Sequence, residues 1–158
     1  LEEVSTHIAL GGTPDPKAPE LTPRDLTTAE AASWLQNKAN RNYLNCPLLA
    51  TVRGKIKEVQ GAELNTPAKG ALSGKLEPLP KIFAPKALYD AGFGVDRTLL
   101  LDNSTAGFTI RTSVRNNISF TQIPVESRTY TGVLSYYSDW QMQLRSLDDI
   151  QPSTVHTK

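Results

Sequence analysis

Apolar and polar residues alternate through most of the chain beyond residue 50, and the alternation predicts five β-strands. In the first, residues 50–60, Val52, Gly54 and Ile56 share one side and Arg53, Lys55 and Lys57 the other. Gly54 within it predicts a bulge or a sharp coil. Residues 97–102 and 107–113 form a hairpin around the polar turn Asn103-Ser104-Thr105-Ala106. Phe108 and Ile110 are expected to face inward, leaving Thr109, Arg111 and Ser113 outward. A second hairpin, 128–137 with 140–146, turns at Ser138-Asp139.

With Ser138-Asp139 as a two-residue turn, Tyr137 lies opposite Trp140, Ser135 opposite Met142 and Val133 opposite Leu144, giving one largely apolar face. The other face then carries Tyr130, Leu134 and Tyr136 beside Gln141, Gln143 and Arg145. Rings next to amides and a guanidinium can stack on a flat group and hydrogen-bond its edge, which suits sugars and nucleobases alike. The competing reading is a wet sheet face with ordinary cross-strand pairs.

One helix precedes the strands. Thr27-Thr28-Ala29-Glu30 supplies a hydroxyl cap with a glutamate three residues on, and Asn40-Arg41-Asn42 a stop. Ala31, Trp34, Leu35 and Lys38 fall on one stripe, so the helix is expected to pack through Trp34. Between the first two strands lies a long tract, 61–95, with four prolines and a short helix expected over 85–91. Long ordered loops are often functional. The chain thus divides into a Pro/Gly-rich tether over 1–26, a β-domain with its helix over 27–151, and a disordered tail over 152–158.

The strand order resembles the OB-fold, a five-stranded Greek-key barrel, here with an N-terminal helix and a long insertion between the first two strands. Val52-Arg-Gly-Lys-Ile-Lys-Glu-Val59 is similar to the opening strand of such domains, and Leu99-Leu-Leu-Asp-Asn-Ser-Thr-Ala-Gly-Phe-Thr-Ile110 to the hairpin of their second and third strands. Tyr130-Thr-Gly-Val-Leu-Ser-Tyr136, Trp140-Gln-Met-Gln-Leu144 and Leu147-Asp-Asp-Ile150 resemble a narrower group, OB-like domains of Bacteroidetes cell-surface or periplasmic lipoproteins of unknown function. The resemblance spans residues 28–151 and implies an exported protein whose lipidated cysteine precedes Leu1, so that membrane contact is made only through an anchor outside this chain. It also implies a ligand face on the second and third strands, pointing to Thr109, Arg111, Ser113 and Arg115 with Arg53, Lys55 and Lys57 at its border.

Composition narrows the chemistry. The single Cys46 excludes an internal disulfide and any cysteine-based zinc site, and its apolar surroundings favour a structural role. His7 and His156 both lie near chain ends, so no nucleophile has a credible base. Asp148 and Asp149 were they on a strand would point oppositely, no calcium-loop, HExxH or P-loop motif occurs, and no cofactor is implied. Residues 1–49 hold four Lys/Arg against six Asp/Glu, and residues 50–158 thirteen against ten, within a formal net charge of +1. That mild cationic bias in the β-rich part permits an anionic ligand without requiring one. The expectation is a non-enzymatic binding or adaptor domain for a glycan, peptide or protein partner. Single-stranded nucleic-acid binding, alone or accessory to a nuclease, stands as the alternative, and a structural spacer as a third.

Overall fold

The computed structural model describes residues 22–57, 82–84 and 94–152, with the isolated positions 13, 15 and 17. Seven strands and one α-helix occur among them: β1 (Arg24–Asp25), α1 (Ala29–Gln36), β2 (Leu48–Ile56), β3 (Val95–Leu101), β4 (Phe108–Thr112), β5 (Arg128–Tyr137), β6 (Asp139–Gln143) and β7 (Ile150–Gln151). The five longer strands close on themselves in the order β2-β3-β4-β6-β5-β2. All pairings in that ring are antiparallel except β4 with β6, where Thr109 lies beside Gln141. This is an OB-like barrel, as the strand pattern predicted.

Closure depends on β2 and β5 changing partners along their length. On the edge of β2 away from β5, β1 covers Ala50 and Thr51, and β3 takes over from Gly54 to Ile56. On β5, β7 covers Thr129 and Tyr130, and β6 takes over from Val133. Gly54 sits where the barrel is tightest. A Cβ there would lie 2.3 Å from the Leu100 carbonyl oxygen, and one at Gly132 2.6 Å from that of Gln143. The central glycine of the first strand therefore marks a close approach of two backbones.

The core is filled from every strand of the ring: Val52 and Ile56, Leu99, Phe108 and Ile110, Tyr130 and Leu134, Trp140 and Met142. Leu26 is also fully packed, and β1 pairs with β2, so the folded unit reaches back to residue 24 and does not begin at 27. Most of the rest of the expected tether, the tail beyond 152, both histidines and the helix expected over 85–91 lie outside the described residues.

The C-terminal hairpin requires a correction. Ser138 takes a left-handed conformation with φ 61°, and Tyr137 pairs directly with Asp139. Tyr136 therefore lies opposite Trp140 and Leu134 opposite Met142, one residue out of the expected register. A one-residue slip moves every side chain of a strand to its other face. Tyr130, Leu134 and Tyr136 face the core, while Val133, Ser135 and Tyr137 face outward. β6 keeps its expected orientation, with Trp140 and Met142 in and Gln141 and Gln143 out.

Helix α1 starts one residue later than its capping motif predicts. Asp25 Oδ1 accepts both the backbone N–H and the hydroxyl of Thr27, so the cap passes to Thr28, whose Oγ1 accepts Ala31 N–H at 3.1 Å. Leu35 and Ala32 are buried, and the Trp34 ring stacks on Trp140 at 5.1 Å. Trp140 Nε1 donates to the Leu35 carbonyl at 2.9 Å, tying helix to barrel. The outer face of Trp34 is covered by the Arg24 guanidinium, 4.4 Å from the ring centroid.

A short piece of the long insertion is part of the fold. Phe83 and Ala84 are fully buried, and Ile82 bridges Gln122. Arg97, an inward-facing and buried residue of β3, donates to the Ile82 carbonyl at 2.7 Å and the Phe83 carbonyl at 3.1 Å. Ala84 N–H and Phe83 N–H donate to Ser119 and Thr121 in the β4–β5 connection. Residues 82–84 are thus packed into the fold ahead of β3.

Candidate ligand-binding face

The outward positions of β3, β4, β6 and β5 form two rows, the first paired through all four strands. Thr98, Thr109, Gln141 and Ser135 are aligned by the strand registers. One step along, Asp96 pairs with Arg111, and Gln143 pairs with Val133. The inward neighbours Arg97, Ile110, Met142 and Leu134 are all buried, which fixes these rows on the solvent side. Among the described residues, the side chains of Thr98, Thr109, Gln141 and Gln143 have no hydrogen-bonding partner, so their donors and acceptors are open to a ligand.

A depression of about 180 Å³ lies at one end of this face, lined by Gly94, Arg111, Ser113, Asn116, Gln143 and Leu144. Its walls differ in freedom. Asn116 is fixed: its Nδ2 donates to the Leu144 carbonyl at 3.2 Å and its Oδ1 accepts Ile118 N–H at 2.9 Å. Arg111 is held by one contact, Nη1 to Asp96 Oδ1 at 2.7 Å. The Arg111 stem lies across Gly94, where an added Cβ would stand 3.1 Å from its Cγ. Ser113 Oγ accepts the backbone N–H of Arg115, which leaves the hydroxyl proton to donate.

The opposite end of the barrel is closed by contacts. Asp102, in the β3–β4 turn, accepts Arg53 Nε at 2.9 Å and the Ser127 hydroxyl on both oxygens. Asn103 donates to the Thr27 carbonyl and Gln36 to Ser104 Oγ, so the turn is strapped to the helix and its entry. These groups hold the fold together and leave little hydrogen-bonding capacity at this end.

Of the ligand residues expected from sequence, the structure gathers Thr109, Arg111, Ser113, Gln141 and Gln143 on one surface. Arg115 is exposed in the loop beside it, its backbone joined to Ser113. Four others are elsewhere or committed. Tyr130 is fully buried inside the barrel, and burial pushes its phenol up to about 12, with Arg128 pulling weakly the other way. Tyr136 is half-buried, edge-on to Trp140 at 5.2 Å, with its hydroxyl donating to the Ser138 carbonyl. Arg53 is paired with Asp102. Arg145 lies beyond β6 and forms a two-pronged pair with Asp149, Nη2 to Oδ1 at 2.6 Å and Nε to Oδ2 at 3.1 Å.

Asp148 and Asp149 stand in a 3-10 turn, not on a strand. Burial pushes the Asp149 carboxyl up, but the Arg145 side chain and the backbone N–H groups of Arg145 and Ser146 outweigh it and hold it below the usual carboxylate value. Sequence reasoning missed Asp96 and Asn116. The first sits one residue before the expected start of its strand, which removed it from the alternation; nothing local marked the second.

No three His, Cys, Asp or Glu side chains cluster as metal ligands would among the described residues, and no helix there is long and apolar enough to cross a membrane. Burial raises the Cys46 thiol pKa, against a weaker lowering by Tyr136 N–H, which disfavours the thiolate a nucleophile needs. Comparison with protein-family models, curated proteins and solved structures finds no match to this chain.

Proposed function

We propose that this chain is a non-enzymatic binding domain of an exported lipoprotein and that it holds a glycan along the outward face of β3, β4, β6 and β5. The observation that carries the reading is the pair of aligned polar rows, in which two amides and two hydroxyls without protein partners stand beside an Asp–Arg pair. Planar amides and carboxylates in such an array match the paired hydroxyls of a sugar, whose every edge both donates and accepts. Tyr137, exposed at the far end of β5, adds a ring on which a sugar can pack.

Two features weigh against the other ligands. A peptide captured by strand addition needs a free sheet edge. Among the described residues the barrel is closed, and β1 and β7 cover the edges that β3 and β6 leave. A nucleic-acid strand needs stacking rings between free cations. Here the outward positions of β3 and β4 hold no aromatic, and Arg53, Arg111 and Arg145 each pair with an aspartate.

The test is affinity electrophoresis or calorimetry of the chain against a panel of soluble polysaccharides. At least one should bind, and Gln141→Ala with Thr109→Ala should weaken it about tenfold, the loss of roughly 1.4 kcal/mol expected for one or two hydrogen bonds. Binding unchanged in that double variant would move the site off this face. The exported, lipid-anchored setting rests on the family resemblance, and palmitate labelling of the full-length protein in its own cells tests it separately.

A further inference from the structure

We infer that the depression beside Arg111 and Gln143 is a subsite for a carboxylate, so that the preferred glycan is an acidic one carrying uronic-type sugars. The inference rests on the glycan reading above and adds the identity of one group.

The depression is donor-rich. Arg111 has five N–H groups in a planar fork, and among the described residues only one Nη1 contact, to Asp96, is made. Ser113 Oγ accepts one N–H and keeps its proton to donate, and the Gln143 amide is free among the described residues. Asn116, with both amide atoms fixed to Leu144 and Ile118, forms a rigid wall. A neutral hydroxyl would use few of these donors. A carboxylate accepts on two oxygens and matches the guanidinium fork side by side.

The charge balance points to a single negative charge. Among the described residues one guanidinium lines the depression, and Asp96, half-exposed and 2.7 Å away, offsets part of its charge. That suits a monoanion better than a phosphate or clustered sulfates, whose higher charge would meet Asp96 without a second cation from the described residues in the lining. Asp96 also orients Arg111: with Gly94 beneath the stem, the side chain lies flat across the end of the sheet. Asp96 is then a positioning residue that holds the fork while opposing the ligand's charge.

That opposition yields a test in which loss of folding cannot imitate the expected result. Calorimetric titration would compare polygalacturonate with the same polymer after carboxyl reduction. The protein should bind the acidic polymer at least tenfold more tightly, and Arg111→Gln should abolish that preference, bringing the two polymers to within twofold of each other. Asp96→Asn should tighten binding of the acidic polymer and raise its advantage over the reduced polymer three- to tenfold, more at low salt than at high. Equal binding of the two polymers, or weaker acidic-polymer binding in Asp96→Asn, would overturn the carboxylate subsite while the glycan face stands. Failure of every polysaccharide in the panel to bind would overturn both.

Discussion

Gly54 and Tyr130 are single positions at which the barrel's geometry sets stability. The backbones of β2 and β3 approach so closely at Gly54 that a methyl group would overlap a carbonyl oxygen, and a backbone atom in a closed ring has nowhere to move. Gly54→Ala should therefore cost about 1–3 kcal/mol, the range for overpacked sites, read from urea unfolding at constant m-value. Tyr130 runs the other way. Its hydroxyl is buried and, among the described residues, has no hydrogen-bond partner. Because an orphaned buried hydroxyl costs about 1–3 kcal/mol, Tyr130→Phe should leave stability equal or raise it. The ionisation works in the same sense. The folded phenol titrates near 12 and the unfolded one near its ordinary value of 10, so the contribution of the neutral phenol is complete below pH 10 and is lost as pH rises towards 12. Tyr130→Phe should flatten the alkaline limb of a stability–pH curve; an unchanged limb would mean that the phenol is hydrated in the native state.

Among the elements, the strands were the most legible part of the chain, and one register the least. Arg128–Tyr137 was predicted to the residue, and β2, β3, β4 and β6 each lie within a few residues of their expected spans, because period-2 alternation survives uncertainty at the ends. The faces of β5 were read inverted because both sides of that strand carry large apolar groups, Tyr130, Leu134 and Tyr136 against Val133 and Tyr137. Only the turn could decide, and Ser138 gives no glycine or asparagine signal for the left-handed conformation it adopts. The same slip explains why Tyr130 and Tyr136 proved structural, whereas Arg53 and Arg145 are taken up by their aspartate partners. The residues of β4 and β6 kept their faces, since Phe108, Ile110, Trp140 and Met142 leave no ambiguity. Past β6, the chain is held by Asp149, which accepts Arg145 N–H, Ser146 N–H and the Arg145 guanidinium. Its carboxyl is depressed in the folded state, so its contribution is present above the unfolded value near 4 and fades as pH falls through the lower folded one. Asp149→Asn should lower stability at pH 7 by about 1.5–3 kcal/mol and weaken the acid limb, as measured by thermal melts between pH 7 and 2. An acid limb as steep as that of the parent protein would assign acid sensitivity to other carboxylates.

Across the whole molecule, one end of the barrel is tied shut and the other is where ligand chemistry is left open. The β3–β4 turn is strapped to Arg53, Ser127, Thr27 and Gln36, while Arg97 holds the Ile82 and Phe83 carbonyls. Between these fixed regions, the polar rows of β3, β4, β6 and β5 retain unpartnered groups. The cations follow the same logic: with a formal net charge of +1 and Arg53, Arg111 and Arg145 each set against an aspartate, the barrel projects little unbalanced positive field. A protein that binds single strands through Z phosphates loses affinity with a logarithmic salt slope near −0.7Z. Fluorescence polarisation with a labelled oligothymidine at about 20 mM salt should accordingly give no saturable binding. Saturable binding with a slope of −2 or steeper would mean that three or more phosphates find free cations, and would place a nucleic acid ahead of a glycan on this face.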